Sequence, residues 1–491
     1  MTNAVERTAI IVGGGPAGLS AAYELQKRSD HVRPIVFEAN SLVGGISRTE
    51  SHKGNRFDIG GHRFFTKVPE VEAMWDEVLG DDFITRPRLS RIYYRDKFYS
   101  YPLKLFNALG NIGPYEASRI LLSYVKWQIR PVKDETSFED WVINRFGGRL
   151  YMHFFQSYTQ KVWGISPRNI QADWAAQRIK NLSLSKAVWN AISGANDTVS
   201  LIEEFRYPRL GPGMMWETCA DKINENGGQV HLNSAVTRIE REGLRVTGVD
   251  VKSWTPGEAD SETTEHVTGD HFVNTMALRD LIHAFDPPPP AEVIEAADRL
   301  RYRDFLIVAL ILDTPDPFPD NWIYVHSPDV SVGRIQNFRA WSPEMVSDPQ
   351  KSSIGMEYFC HEGDGLWTMS DDALGQLAGQ ELERLGLGEQ SNVVDHAIIR
   401  QPKAYPVYDG DYKDALQIVS GWLKQFENFQ TVGRNGLHRY NNQDHSMLSA
   451  MLAARNILGE ANDVWSVNVD RAYHEEFELR EDNDEKKRLR A

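Results

Sequence analysis

Cysteine is almost missing from this chain. Only Cys219 and Cys360 occur among 491 residues, far apart and with no CxxC or Cys/His spacing. That excludes a disulfide framework and a cysteine-built zinc site, and it fits a reducing compartment. Long apolar runs are lacking too: the longest, Phe305 to Leu312, is strand-sized, against the roughly 20 residues that span a bilayer. The opening MTNAVERTA has neither the basic start nor the apolar core of a secretory signal. The expectation is a cytoplasmic protein without a membrane span. Positive charge is in deficit, with 54 Lys and Arg against 69 Asp and Glu and a net charge of -15. No nucleic-acid partner is expected, because tracking phosphates requires a cationic face. A local arginine pair can still bind a small anion.

What is present is ordinary for a globular protein: 41% hydrophobic and 25% charged residues. The length predicts two or three domains, and no repeat or linker marks a clean cut, so interleaved domains are expected. Between Leu103 and about Ile202 the apolar residues recur at helix spacing, as Phe106 and Leu109, then Ile120, Leu121, Tyr124 and Trp127. Arg91 to Tyr101 reads as a hairpin turning at Arg95-Asp96-Lys97, and Tyr302 to Asp313 and Ser352 to Cys360 read as further strands. The tail after Glu475 is almost wholly charged. The fold class predicted is α/β, with a discontinuous Rossmann-type domain over 1–90, 203–285 and 415–475. A helical insertion covers 103–202, an antiparallel-sheet substrate domain 91–102 and 286–414, and the charged tail 476–491.

The most specific signal is TAIIVGGGPAGLSAAYELQKR, Thr8 to Arg28. A buried apolar strand runs into Gly13, Gly15 and Gly18 at G-x-G-x-x-G spacing, with Pro16 and Ala17 opening a helix. Gly13 permits the tight turn, Gly15 lets the backbone approach a pyrophosphate, Gly18 lets helix and strand pack closely, and the helix N-terminus attracts phosphate. The next strand, Pro34 to Ala39, carries Glu38 twenty residues beyond Gly18, placed to accept hydrogen bonds from a ribose. FAD rather than NAD follows from the second glycine turn directly after it, Gly44-Gly45 with Ser47 and Arg48, whose cation can meet the same pyrophosphate.

FDIGGHRFF, Phe57 to Phe65, adds Gly60, Gly61 and His62, which a plain loop and a structural histidine would also explain. Near the far end a glycine turn at Gly433 precedes the polar cluster Asn441 to His445 and an amphipathic helix through Met447, Met451, Ala454 and Ile457. Its N-terminus is an anion or carbonyl site, although Asp444 would also serve as an ordinary helix cap.

Four separated blocks resemble the flavin-dependent UDP-galactopyranose mutases, within the amine oxidase and protoporphyrinogen oxidase-like flavoproteins. They are FDIGGH (57–62), KVWG with WAAQRI (161–179), GRIQNFRAWSP (333–343), and AYPVY with GRNGLHRYNNQDHS (404–408 and 433–446). RYPRLGPGMMWE, Arg206 to Glu217, is similar to the family's entry to the middle flavin-domain helix. The resemblance implies His62 beside the flavin ring, Trp163 near a sugar, and Arg178 and Arg334 on a diphosphate joined by Tyr405 and Tyr440. It implies FAD contacts from Ala39, Val236, Gly433, Arg434, Asn442, Gln443, Asp444 and Ser446. Three departures bear on the sugar pocket: Arg63 where the family has an apolar residue, Thr159 where it has asparagine, and a shortened Tyr440-to-Gln443 segment.

By this resemblance the activity is a pyranose–furanose isomerisation of a nucleoside-diphosphate sugar. Reduced flavin N5 acts as nucleophile on the anomeric carbon without net redox change. NAD(P)H is the candidate reductant and a homo-oligomer remains open; no metal is called for. The alternatives are a flavin-dependent oxidase or desaturase of the same superfamily, which needs an apolar or aromatic cage, and a noncatalytic flavin-binding protein.

Overall fold

A computed structural model describes residues 7–101, 105–172, 174–175, 204–258 and 260–468. The fold is mixed α/β, with a five-stranded, a four-stranded and a seven-stranded sheet and two small two-stranded ones. In the five-stranded sheet Arg7–Val12 is central. It pairs in parallel with Val32–Phe37 and His271–Asn274, which are flanked in turn by Gln229–His231 and Phe429–Thr431. A strand buried on both faces must be apolar throughout, and Ala9, Ile10 and Ile11 are fully enclosed. Helix Pro16–Arg28 buries Leu19, Ala21, Ala22 and Leu25 in the same core as Met447, Ala450 and Ala454 of helix Gln443–Ile457. The two ends of the chain thereby meet over one sheet.

The seven-stranded sheet is ordered Val393–Pro406, Tyr302–Leu312, Ser352–Cys360, Arg334–Asn337, Trp322–Val325, Ser90–Tyr94, Lys97–Ser100. It is antiparallel as expected, except that Trp322–Val325 runs parallel to Ser90–Tyr94. The hairpin turns at Arg95 and Asp96, both at positive φ (50° and 59°), the geometry of a tight two-residue turn. The long apolar run lies in Tyr302–Leu312, enclosed between its two sheet neighbours. Each fully buried Leu or Ile there is worth roughly 1.5–3 kcal/mol relative to exposure.

Two expectations shift. The predicted apolar face of the helical region is only partly buried: in helix Pro114–Ile129, Ile120 is enclosed while Leu121 is 38% exposed. The expected boundary at 286 also falls early. Helix Ala291–Arg299 buries Val293, Ala296 and Ala297 in the core that holds Phe272, Phe285 and Phe429, so its amphipathic face ties it to the nucleotide-binding side. Among the described residues no helix is long and apolar enough to cross a membrane. The charged tail lies outside the described residues.

Candidate functional site

The first strand delivers the chain at Val12 into Gly13, whose φ of +100° and 2.2 Å clearance from a would-be Cβ to Thr275 Oγ1 exclude other residues. Gly18 is equally constrained, since a Cβ there would stand 1.9 Å from the Gly13 carbonyl oxygen. Gly15 caps helix Pro16–Arg28 with no side-chain hydrogen bond and Pro16 follows in its first turn, so the helix presents backbone donors to an anion. Glu38 is buried; Oε2 accepts from Gly14 N (2.7 Å) and Oε1 from Asn40 N (2.8 Å).

The second glycine turn closes on the first. Gly44 N donates to Gly14 O (2.8 Å), and a Cβ on Gly45 would stand 3.3 Å from Gly15 Cα. Arg48 is beside this turn, but its Nε donates to Glu50 Oε1 (2.7 Å) and its Nη1 to Gly45 O and Gln401 Oε1, so part of its charge is already shared with Glu50. The cleft so formed has a volume of about 420 Å³. Gly13, Gly15, Pro16, Ala17 and Glu38 line it, with Ala39, Gly45, Ser47, Arg48 and Val236. Gly433, Arg434, Asn442, Gln443 and Ser446 complete the predicted set within it.

Gly18 acts one layer behind as a packing residue. Asp444 is 2% exposed inside the first helical turn and is not among the residues that line the cleft, whereas Asn442, Gln443 and Ser446 are. Nor is Asp444 the cap of helix Gln443–Ile457. Asn442 is, in a reciprocal capping box with His445. The buried polar atoms Ser47 Oγ, Asn435 Oδ1 and Gln443 Oε1 have no hydrogen-bond partner among the described residues. With the two abutting glycine turns, they fit a pyrophosphate and a polar ring edge.

A second cavity, of about 190 Å³, joins the cleft at Arg434, Asn442 and Gln443. Its floor is the loop Gly60–Phe65. Gly61 is no plain loop residue, because a Cβ there would fall inside the Trp322 ring. His62 Nε2–H donates to Ile59 O (2.8 Å). Burial, then the neighbouring Arg434 charge, push its pKa down to about 4, so the imidazole is neutral at pH 7.

On the opposite wall Arg334 stands across the strand pair from Glu357. Its Nη2 is 2.7 Å from Glu357 Oε2 and donates to the Tyr405 hydroxyl (2.8 Å). Gln336 Nε2 holds the other Glu357 oxygen (2.8 Å). Burial, the largest single effect, opposes the charge on Arg334, but the Glu357 carboxylate together with the neighbouring Tyr405, Tyr158 and Tyr440 outweighs it and holds the guanidinium above its ordinary value. Tyr405 and Tyr440 stack at 5.3 Å with Arg434 over both rings. Burial pushes the Tyr405 pKa up to about 12, so its hydroxyl keeps its proton.

Trp163 ends the helical run that passes through a π turn at Met152–Gln156 into Ser157–Trp163, stopped by Gly164 at φ +67°. Its ring lies 6.3 Å from Tyr405 and 6.1 Å from Tyr440. Arg178 lies outside the described residues.

The profile of flavin-containing amine oxidoreductases matches residues 16–413, most of the chain. The chain belongs to that family. A Mycobacterium tuberculosis protein named as a flavin-containing monoamine oxidase, AofH, is 27% identical over 301 residues, 59% of this chain and 61% of that relative, so the match spans less than two-thirds of its length. The coproporphyrinogen III oxidase of Mycobacterium leprae is 38% identical over 73 residues, 15% of this chain and 16% of the relative. Among solved structures, reduced UDP-galactopyranose mutase superposes with a TM-score of 0.78 at 19% identity, covering 94% of this chain and 98% of that one. That likeness is one of fold. The cofactor of this family member is FAD.

Sequence reading missed much of the walls. Thr275, Met276, Gln401 and Lys403 line the FAD cleft, and Arg88, Phe205, Trp322 and Tyr324 line the adjoining cavity. Several stand at strand ends, contributed by segments with no motif of their own. Arg63, visible in the sequence as a departure, also lines this cavity.

Proposed function

We propose that this protein is an FAD-dependent mutase that interconverts pyranose and furanose forms of a nucleoside-diphosphate sugar. The observation that carries the reading is the charge of the cavity beside the flavin end of the cleft. Arg63, Arg88, Arg334 and Arg434 line it, and no Asp or Glu does among the described residues. In a chain of net charge -15, such a concentration of guanidinium groups selects an anionic ligand. Arginine forks onto phosphate oxygens, and a neutral tyrosine hydroxyl adds a donor without adding charge.

In this reading Arg334 and Tyr405 hold the diphosphate, with Tyr440 beside them and Trp163 closing the aromatic wall. Reduced flavin would supply a nucleophilic nitrogen to the anomeric carbon, with no net redox change. Retaining the diphosphate in the same cavity makes its return effectively intramolecular. Neutral His62 donates to Ile59 O and holds the loop against the cleft. Electrons would come from outside, with NAD(P)H the candidate reductant.

The family relatives named as oxidases favour a second reading, an amine or porphyrinogen oxidase. An ammonium substrate is disfavoured by the same guanidiniums, whose charge repels a cation in a low-dielectric cavity.

Titrating UDP into the reduced and oxidised protein tests the proposal. The flavin spectrum should respond, and Arg334→Ala should weaken the response about tenfold or more. Because that variant leaves Glu357 buried without its cation, its stability should drop, and adding Glu357→Gln should restore stability but not UDP binding. Steady oxygen consumption with an amine or porphyrinogen, and no response to UDP or GDP in either redox state, would establish the oxidase reading instead.

A further inference from the structure

Helix Pro114–Ile129 has two apolar sides, and the rest of the protein meets one of them. On the inner side Ile120 is enclosed and Trp127 partly so, where the helix packs on helices Phe138–Phe146 and Gly148–Tyr151. On the outer side Tyr115, Leu122 and Ile129 recur at seven-residue intervals and are 74%, 71% and 72% exposed, and Val125 between them is more than half exposed. At about 3.6 residues per turn these four share one face. Met152 is also more than half exposed, and it shares with Leu122 the lining of a surface cavity of about 660 Å³. Single exposed apolar side chains are ordinary, whereas a run of them along one helix marks a contact face.

The charge beside this stripe indicates what it contacts. Arg119, Lys126 and Arg130 follow one edge of it, in a chain whose net charge is -15. Lys126 and Arg130 have no carboxylate within ion-pair distance among the described residues. Arg119 shares Glu116 with Arg149 and His153, and Glu116 is the sole acid between Pro114 and Arg130. A second copy laid on this face by two-fold symmetry would therefore offer those cations no free carboxylate from its own helix. An anionic lipid surface meets both features at once. Apolar side chains enter the boundary between headgroups and acyl chains, and the flanking cations stay among the headgroup phosphates.

We propose that helix Pro114–Ile129 is a peripheral membrane-docking element, which seats the protein on an anionic bilayer through Leu122, Val125 and Ile129. The helix lies in the plane of the surface. Its 16 residues fall short of the roughly 20 that span a bilayer, and Glu116, Arg119 and Lys126 interrupt them. Because the chain as a whole is negative, attraction is confined to this patch and fixes the orientation of docking. The proposal is independent of the reaction performed at the flavin site.

Flotation of the FAD-loaded full chain with lipid vesicles tests it. The protein should float with vesicles of equal parts phosphatidylglycerol and phosphatidylcholine and not with phosphatidylcholine alone. Raising the salt from about 0.1 M to about 1 M should release most of it. Leu122→Ser combined with Ile129→Ser should lower the vesicle partition coefficient at least about tenfold, and Lys126→Gln combined with Arg130→Gln about threefold or more. Val394→Ser, at an exposed apolar position on strand Val393–Pro406, should bind as wild type does. An unchanged bound-flavin spectrum verifies that each variant is folded. Equal flotation with both vesicle types, or flotation with neither, overturns the proposal. A dimer in light scattering that the two serine substitutions dissociate, without flotation of the wild type, would assign the face to a second copy instead.

Discussion

Asp58 ends strand Asn55–Asp58, fully enclosed, with Thr49 Oγ1 donating to Oδ1 at 2.8 Å and the Tyr207 hydroxyl donating to Oδ2. It anchors the start of the Gly60–Phe65 loop to strand Glu204–Pro208. Burial pushes its pKa up to about 7 against the lowering effect of those two bonds, from about 3.9 in an unfolded chain. The folded state therefore holds a proton that the unfolded state releases. The stability that Asp58 contributes is fully present below about pH 4 and is lost as pH rises through 7. Asp58→Asn should remove this slope, so the melting temperature of the variant should gain on wild type between pH 5 and 8. Parallel melting curves across that range would mean that Asp58 is ionised throughout. The sequence marked FDIGGH as a motif, but nothing in six residues announces that its aspartate meets Tyr207. That contact joins positions 149 apart.

At the scale of elements, the strand, glycine turn and helix from Arg7 to Arg28 were legible because each contact that defines them is local or nearly so. Gly18 illustrates the constraint: a methyl group there would stand 1.9 Å from Gly13 O and 3.3 Å from Ile11 Cγ2. We expect Gly18→Ala to push the helix off the strand, displace the donors at Gly15 and lower the FAD content of purified protein by more than half, read from the ratio of flavin to protein absorbance. Gly421→Ala is the control. It lies in helix Tyr412–Leu423 with open space around a Cβ, where alanine should be neutral or stabilising by about 0.5–1 kcal/mol. The helix Pro114–Ile129 was legible as a helix but not in its burial. Spacing of apolar residues reveals a face, whereas what covers that face is decided by other elements. Leu122, Val125 and Ile129 are all more than half exposed. The cap of helix Gln443–Ile457 was not legible for a related reason. Asp and Asn are both good caps, and only the backbone conformation, extended at Asn442 with φ -73° and ψ 177°, selects between them.

Across the whole molecule the FAD cleft draws on segments from Val12 to Ser446, so cofactor binding and folding are linked. A ligand at 100 times its Kd stabilises the state that binds it by about 2.7 kcal/mol. Protein stripped of FAD should melt several degrees lower and recover in step with added FAD. A melting temperature unaffected by FAD would mean that the cleft is preformed elsewhere or not used. By itself the sequence determined the nucleotide-binding half: glycine spacing, the acid at Glu38 and the second glycine turn act through neighbouring backbone, so linear order encodes their geometry. The cavity beside it was decided only by tertiary structure. Arg63 and Arg88 become neighbours because a loop and a strand end from different sheets converge, and Arg334 meets Glu357 through the register of two antiparallel strands. Whether those charges are compensated depends on which groups share their low-dielectric surroundings.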